Sequence, residues 1–179
     1  MCRILNISGV PGVGKRTAVK LCVKKAKLYR NLIHAEVAIS KNWSLSCLYN
    51  QILKKLEVCA LNINEESQLD RLFRSNEPFP CDGIVLVISS ADMLTNNQQA
   101  FLMKIMGWLS EAGDKLTVVF TSAGVGFSIN LKNGYDGLLV DEVIFPAYNA
   151  EQLVERETIP CSAGKKTRIV KAQLGNQAG

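Results

Sequence analysis

The chain has 179 residues, of which 47% are hydrophobic and 21% are charged, and its formal net charge is +5. These values are ordinary for one globular domain, and because no run of about 18 apolar residues occurs, we predict no membrane span. A single histidine and cysteines without CxxC spacing predict no metal site. We expect the cysteines to be reduced, buried thiols in a cytosolic or nuclear protein: Cys2, Cys22, Cys47, Cys59, Cys81 and Cys161.

Apolar runs and helical periodicities alternate along the chain and predict an α/β fold. In chain order we predict strand 4–8, helix 15–29, strand 33–39, a helix capped by Ser44, a short helix capped by Asn64, strand 83–89, a helix from Thr95, and strands 116–121 and 142–145. Residues 84–88 of strand 83–89 are all apolar, as expected of a strand buried on both faces. The arrangement predicts a three-layer parallel sheet with helices on both faces. Residues 124–141 are loop-like, and we predict a flexible, disordered tail over residues 157–179.

The positive charge is concentrated at the start of the chain. Residues 1–60 contain only Glu36 and Glu57 as carboxylates, and the predicted first helix carries most of the cations there. Two interpretations stay open: a solvated helix face, or a surface for nucleic acid or an acidic partner. Because no aromatic residues are interleaved with the cations, any nucleic-acid binding would be through phosphates and sensitive to salt.

The segment ISGVPGVGKRT, residues 7–17, has the form of a phosphate-binding loop. Glycines permit a tight turn whose N–H groups face inward, and Lys15 follows at the position that contacts a β/γ-phosphate. The predicted nucleotide-binding residues are Gly9, Val10, Pro11, Gly12, Val13, Gly14, Lys15, Arg16 and Thr17.

The residues that would hold magnesium are missing from this pattern. Arg16 occupies the position of the Mg²⁺-binding hydroxyl, and Thr17 comes one residue late, about 100° further around the helix. A P-loop ATPase also carries an Asp-Glu pair at the end of a buried strand, where this chain has Ser89 and Ser90. Asp92 lies further on, and we interpret it as a turn or capping residue.

Several motifs, in this order and spacing, resemble the AAA+ family, and within it the large subunit of the eukaryotic origin recognition complex and its replication-licensing relative. The matching segments are SGVPGVGK (8–15), YNQILKKL (49–56), VLVISSADML (85–94), QQAFLMKIMGW (98–108), KLTVVFTSAG (115–124) and FPAYNAEQL (145–153). The resemblance implies a five-stranded parallel base over residues 1–156, ATP at subunit interfaces, and nuclear work at replication origins.

The same resemblance implies a degenerate site. Ser122 falls at the sensor position, where the family usually has Asn, and residues 124–145 contain no arginine to act as a finger. The helical lid of the family is also absent from the expected position. We therefore predict no catalytic residues, weak or no ATP binding, no Mg²⁺ binding and no hydrolysis.

Three functions remain open at this stage. The first is a protein-interaction or chromatin scaffold in replication initiation, located in the nucleus, whose partners are other AAA+ subunits of an origin-recognition-like complex, with DNA or chromatin contacted through the basic first helix. The second is an ATP-binding subunit of such a complex, whose site is completed by a neighbouring chain. The third is a truncated gene product with no function of its own.

Overall fold

A computed structural model of the chain describes residues 3–57, 64–74, 81–94, 99–124, 126–127 and 140–149. The strands are β1 (Arg3–Ser8), β2 (Leu32–Ala38), β3 (Gly83–Ser89), β4 (Leu116–Ser122) and β5 (Val140–Ile144). The helices are α1 (Lys15–Ala26), α2 (Leu45–Lys55), α3 (Glu65–Arg74) and α4 (Gln99–Ala112). None of these helices is long and apolar enough to cross a membrane.

The five strands form one parallel sheet in the order β2-β3-β4-β1-β5. The predicted five-stranded parallel sheet is confirmed. β1 lies between β4 and β5, so that Ile7 is opposite Thr121 on one side and Val143 on the other. The loop that follows β1 therefore begins inside the sheet, at the carboxyl ends of the parallel strands, where α/β proteins commonly place ligands.

Alternate residues of β3 enter two different cores, which confirms helices on both faces. Ile84, Leu86 and Ile88 join the large core, which also contains buried side chains of α2, α3 and α4. Val87 joins a small core with Val19 and Val23 of α1. Since α1 packs on the sheet through so few apolar side chains, most of the surface of α1 remains in solvent.

Both predicted helix caps are confirmed. The Ser44 hydroxyl accepts the Cys47 N–H at 3.2 Å at the start of α2. The Asn64 side-chain oxygen accepts the Ser67 N–H at 2.7 Å at the start of α3. Each contact satisfies a backbone donor that has no partner within its helix.

Two predictions about α1 were wrong. The helix ends at Ala26 rather than Tyr29, because Leu28 and Tyr29 are 76% and 81% exposed and have no apolar surface to cover. Cys22 is exposed, although we expected it to be buried, because only Val19 and Val23 of this helix face the sheet. The other two free thiols among the described residues, Cys47 and Cys81, are half-buried.

β5 begins at Val140, so the predicted loop through residue 141 ends earlier than expected. The predicted start of a helix at Thr95, most of the segment 124–139 and the predicted tail 157–179 lie outside the described residues. The chain divides into one unit from Met1 to Ala147 and a second from Tyr148 to Gly179, of which the structure describes only residues 148 and 149.

Candidate nucleotide-binding site

The glycine-rich loop leaves the end of β1 and turns directly into α1. Gly9, Gly12 and Gly14 have φ values of 147°, 88° and 88°, a region that side-chain-bearing residues rarely adopt. Gly14 is the N-cap of α1, and its carbonyl accepts the Ala18 N–H at 2.9 Å. The positive φ values explain the glycine spacing of the motif without any ligand.

Gly9 and Gly12 are required for different reasons. A Cβ on Gly9 would lie 2.4 Å from the carbonyl oxygen of Phe145, which follows β5. A Cβ on Gly12 would meet nothing within 4 Å. Gly9 therefore permits close packing of two backbone segments, whereas the space beside Gly12 is open to a ligand.

Lys15, the first residue of α1, folds back over the loop. Its ammonium group donates to the carbonyl oxygen of Gly9 and to that of Val10, the latter at 3.0 Å. A phosphate group would compete with these carbonyls for the same cation. Any phosphate binding at this loop must therefore offset the loss of two contacts that already exist.

Arg16 is held by a carboxylate that sequence reasoning did not select. Its guanidinium Nε forms an ion pair with Oε1 of Glu36 on β2, and the Lys20 ammonium lies 3.5 Å from Oε2. The hydroxyl of Ser89, at the end of β3, donates to Glu36 Oε1 at 3.4 Å. The Glu36 side chain is only 10% exposed, compared with 63% for Arg16.

This network occupies the corner where the Mg²⁺ ligands of a P-loop ATPase would lie, and its residues do not fit the ion. Magnesium takes oxygen ligands, usually carboxylates, hydroxyls and phosphates. Ser89 and Glu36 could each offer an oxygen, but Arg16 brings a positive charge into this corner, and the Glu36 carboxylate is already paired with Arg16 and Lys20. Within the described part of the chain, no cluster of three metal-ligating side chains occurs.

The ends of β3 and β4 are joined by side-chain contacts. Asp92 accepts the backbone N–H of Ala123 at 3.0 Å, which agrees with our interpretation of Asp92 as a turn residue. The Ser122 hydroxyl, at the predicted sensor position, donates to the Gly124 carbonyl at 2.9 Å. Ser90 is exposed and has a left-handed backbone with φ of 59°. The polar groups of Asp92 and Ser122 thus stabilise the loops rather than remain available to a nucleotide.

Beside this network lies a groove that we call the cationic groove, with a cavity volume of about 520 Å³. It is lined by Arg16, Lys20, Val23 and Lys24 of α1, Lys27 at the C-cap of α1, His34 and Glu36 of β2, and Lys55 of α2. His34 Nε2 is buried and, within the described residues, has no hydrogen-bond partner. The sequence places all these cations in one region, but only the fold shows that they surround a carboxylate and an imidazole.

We expect His34 to make the protein less stable in acid. Burial lowers the pKa of His34 below its ordinary value of 6.5. The Glu36 carboxylate opposes this shift, and Lys27 and Lys20 add to it. The unfolded chain then binds a proton at higher pH than the native chain, so the free energy of unfolding should fall as the pH drops below about 6.5. The other charged residues that line the groove are Arg16, Lys24 and Lys55.

The measurement is the melting temperature between about pH 5 and pH 7.5. His34→Gln should remove part of the fall in melting temperature at low pH. The remaining fall comes from carboxylates that the variant and the unmodified chain share. Identical pH profiles for the two proteins would contradict the assignment.

Several solved structures share this fold. A chain of the Drosophila origin recognition complex (ORC) bound to DNA is 23% identical with a TM-score of 0.63, over 84% of this chain and 38% of that one. The Aeropyrum pernix ORC2 protein, solved as ADPNP-ADP complexes, is 13% identical with a TM-score of 0.61, over 88% of this chain and 45% of that one. The Pyrobaculum aerophilum Cdc6 protein is 15% identical with a TM-score of 0.58, over 86% of this chain and 41% of that one.

No family model matches the sequence, and no curated protein matches it either. The chain spans less than half the length of each of the three structures above. The resemblance indicated by the motifs is confirmed for the fold: the chain has the α/β base fold of the ORC and Cdc6 type of AAA+ protein.

Proposed function

We propose that this chain is a degenerate AAA+ module of the origin-recognition type that acts as a scaffold in replication initiation and does not hydrolyse ATP. The fold supports the origin-recognition part of this proposal. The contact between Arg16, Glu36 and Ser89 supports the loss of hydrolysis, and it is the observation on which the proposal depends.

The chemical argument concerns charge on the transferred phosphoryl group. In P-loop ATPases, Mg²⁺ bridges the β- and γ-oxygens, and an arginine finger contributes about 10³–10⁵ in rate. This chain has Arg16 and Ser89 at two positions that normally hold the metal, and residues 124–145 contain no arginine. Both sources of charge stabilisation are therefore missing from the chain itself.

Weak nucleotide binding is compatible with the loop geometry. The space beside Gly12 is open, and the Lys15 ammonium lies at the loop, where it can exchange a carbonyl for a phosphate oxygen. The A. pernix protein of similar fold was solved with ADPNP and ADP. We propose that ATP binds weakly here and without Mg²⁺.

A thermal-shift titration with ATP tests this part of the proposal. At an ATP concentration equal to Kd, we expect a stabilisation of about 0.4 kcal/mol, since a ligand of the native state contributes RT ln(1 + [L]/Kd). The shift should be the same with and without Mg²⁺ and should disappear in Lys15→Ala. Lys25→Ala, which removes an exposed cation of the same helix outside the groove, is the matched control.

Phosphate release measured in parallel should not exceed that of Lys15→Ala. A shift that requires Mg²⁺ would refute Mg²⁺-independent binding, and phosphate release that Lys15→Ala abolishes would refute the loss of hydrolysis.

The partners that we propose are other AAA+ subunits of an origin-recognition-like complex in the nucleus, together with DNA or chromatin. The Drosophila complex of similar fold was solved bound to DNA. A second candidate is an ATP-binding subunit whose site is completed by a neighbouring chain. It is favoured by the exposure of the loop, where Val10 is 47% exposed and Pro11 and Gly12 also lie in solvent. A partner subunit that increases the ATP-dependent shift would favour this candidate over the scaffold.

A further inference from the structure

The cations of the cationic groove form a stripe along one side of α1. Arg16, Lys20, Lys24 and Lys27 recur every three or four residues, the spacing that places side chains on one helix face. Over these residues the helix rises about 16 Å. One strand of B-DNA advances about 3.4 Å per phosphate, so the stripe is as long as about five consecutive phosphates.

The charge of the groove is far from balanced. Glu36 is the single carboxylate among the lining residues that the structure describes, and it pairs with Arg16 and Lys20. In the described part of the chain, Lys24, Lys27 and Lys55 have no carboxylate within ion-pair distance, although they line the same cavity. Such a concave array of cations attracts a ligand that carries several negative charges at regular intervals.

His34 contributes a second feature that indicates a ligand. Its Nε2 atom is buried in the groove wall without a hydrogen-bond partner among the described residues. A buried polar atom without a partner costs free energy. Because Nε2 has almost no exposed surface, a phosphate oxygen in the groove would accept its hydrogen bond only after the imidazole turns toward the groove.

The composition of the lining favours a nucleic-acid backbone over an acidic protein. Among the described residues of the lining, Val23 is the only apolar one and none is aromatic. Protein interfaces generally need buried apolar or aromatic anchors. Base stacking needs aromatic side chains, so the groove offers contacts to phosphates and none to bases.

We propose that the cationic groove binds the phosphodiester backbone of nucleic acid without sequence preference. Lys24, Lys27 and Lys55 would contact phosphates directly, while Glu36 fixes Arg16 and Lys20 at the end nearest the phosphate loop. The groove supplies the surface for the DNA contact named in the proposed function. This inference rests on the proposed function only for that DNA contact. Groove binding needs neither ATP nor a partner subunit, so failure of the nucleotide or scaffold proposals would leave it intact.

The experiment is fluorescence anisotropy of the whole chain with a labelled random-sequence duplex of about 20 bp, with a single strand of the same length as a second arm. Affinity should fall between about 50 and 200 mM salt, with a logarithmic slope near −3 for about three neutralised phosphates. Lys24→Glu/Lys27→Glu should weaken binding at least about tenfold and bring the slope closer to zero by about two. The two arms show whether a duplex or a single strand is the better source of the backbone.

Lys25→Glu/Lys41→Glu is the matched control, because it reverses the charge of two exposed lysines outside the groove. The proposal requires this control to bind nearly as well as the unmodified chain, with melting temperatures showing that both variants fold. Equal losses in the two variants would overturn it, because net charge alone would then explain the binding. Poly-glutamate competing as well as DNA at equal charge would also overturn it and would indicate an acidic protein ligand instead.

Discussion

Replacing Trp108 with alanine should lower the free energy of unfolding by about 3–5 kcal/mol. Trp108 is fully buried on α4 and packs against Phe73 and Tyr49, with ring centroids 5.0 and 6.1 Å away. Its indole N–H donates to Asp70 Oδ1 of α3 at 2.7 Å. The alanine variant loses this packing, leaves a cavity between three helices and removes a hydrogen bond.

Urea unfolding measures the loss, and Trp43, the other tryptophan of the chain, remains as a fluorescent reporter. Trp108→Phe is the matched control: it keeps a ring in the core but lacks the N–H, so we expect a loss of about 1–3 kcal/mol. Since small domains are stable by about 5–15 kcal/mol, this loss is a large share of the total, and the alanine variant should unfold at a much lower urea concentration. A loss below about 1 kcal/mol in Trp108→Ala would contradict the packing described above.

Gly9→Ala should destabilise the protein by about 2–4 kcal/mol in the absence of any nucleotide. A left-handed backbone costs a side-chain-bearing residue about 1–2 kcal/mol. The remainder comes from the new methyl group, which would lie 2.4 Å from the Phe145 carbonyl oxygen and would force the segment after β5 to move.

Gly12→Ala is the control for this prediction. Gly12 also has a positive φ, but its added Cβ would meet nothing within 4 Å, so only the backbone cost of about 1–2 kcal/mol applies. Melting temperatures of the two variants compare the losses directly. Equal losses would show that the contact with Phe145 does not constrain Gly9.

The sequence predicts the buried strand β3 and the two helix caps well because those features are local. The wholly apolar run of β3 and the side chains of Ser44 and Asn64 determine a buried strand and two helix starts without reference to distant residues. Ion pairs between residues far apart in the sequence are not predicted in this way. Glu36 is twenty residues from Arg16 along the chain, and only the placement of β2 at the sheet edge beside α1 brings the two together.

Gly9 illustrates the same limit at the candidate site. In the sequence it belongs to the glycine pattern of a phosphate loop, and that pattern predicts the turn correctly. Its closest contact, the Phe145 carbonyl, follows β5 and lies far from Gly9 along the chain, so that only the assembled sheet brings the two together. The exposure of Cys22 has a related cause. Helical periodicity predicts which side chains of α1 share an apolar face, but how many of them are buried depends on how much of the sheet α1 covers.

The position of β1 in the sheet also has a consequence for synthesis on the ribosome. β1 is translated first, yet both of its hydrogen-bonding neighbours, β4 and β5, are translated much later, and β5 ends only at Ile144. At about 5–20 residues per second, its backbone groups wait roughly 7–30 s for their last partner. During that interval the nascent chain presents β1 without its hydrogen-bonding neighbours, and chaperone binding in this period should increase the yield of folded protein.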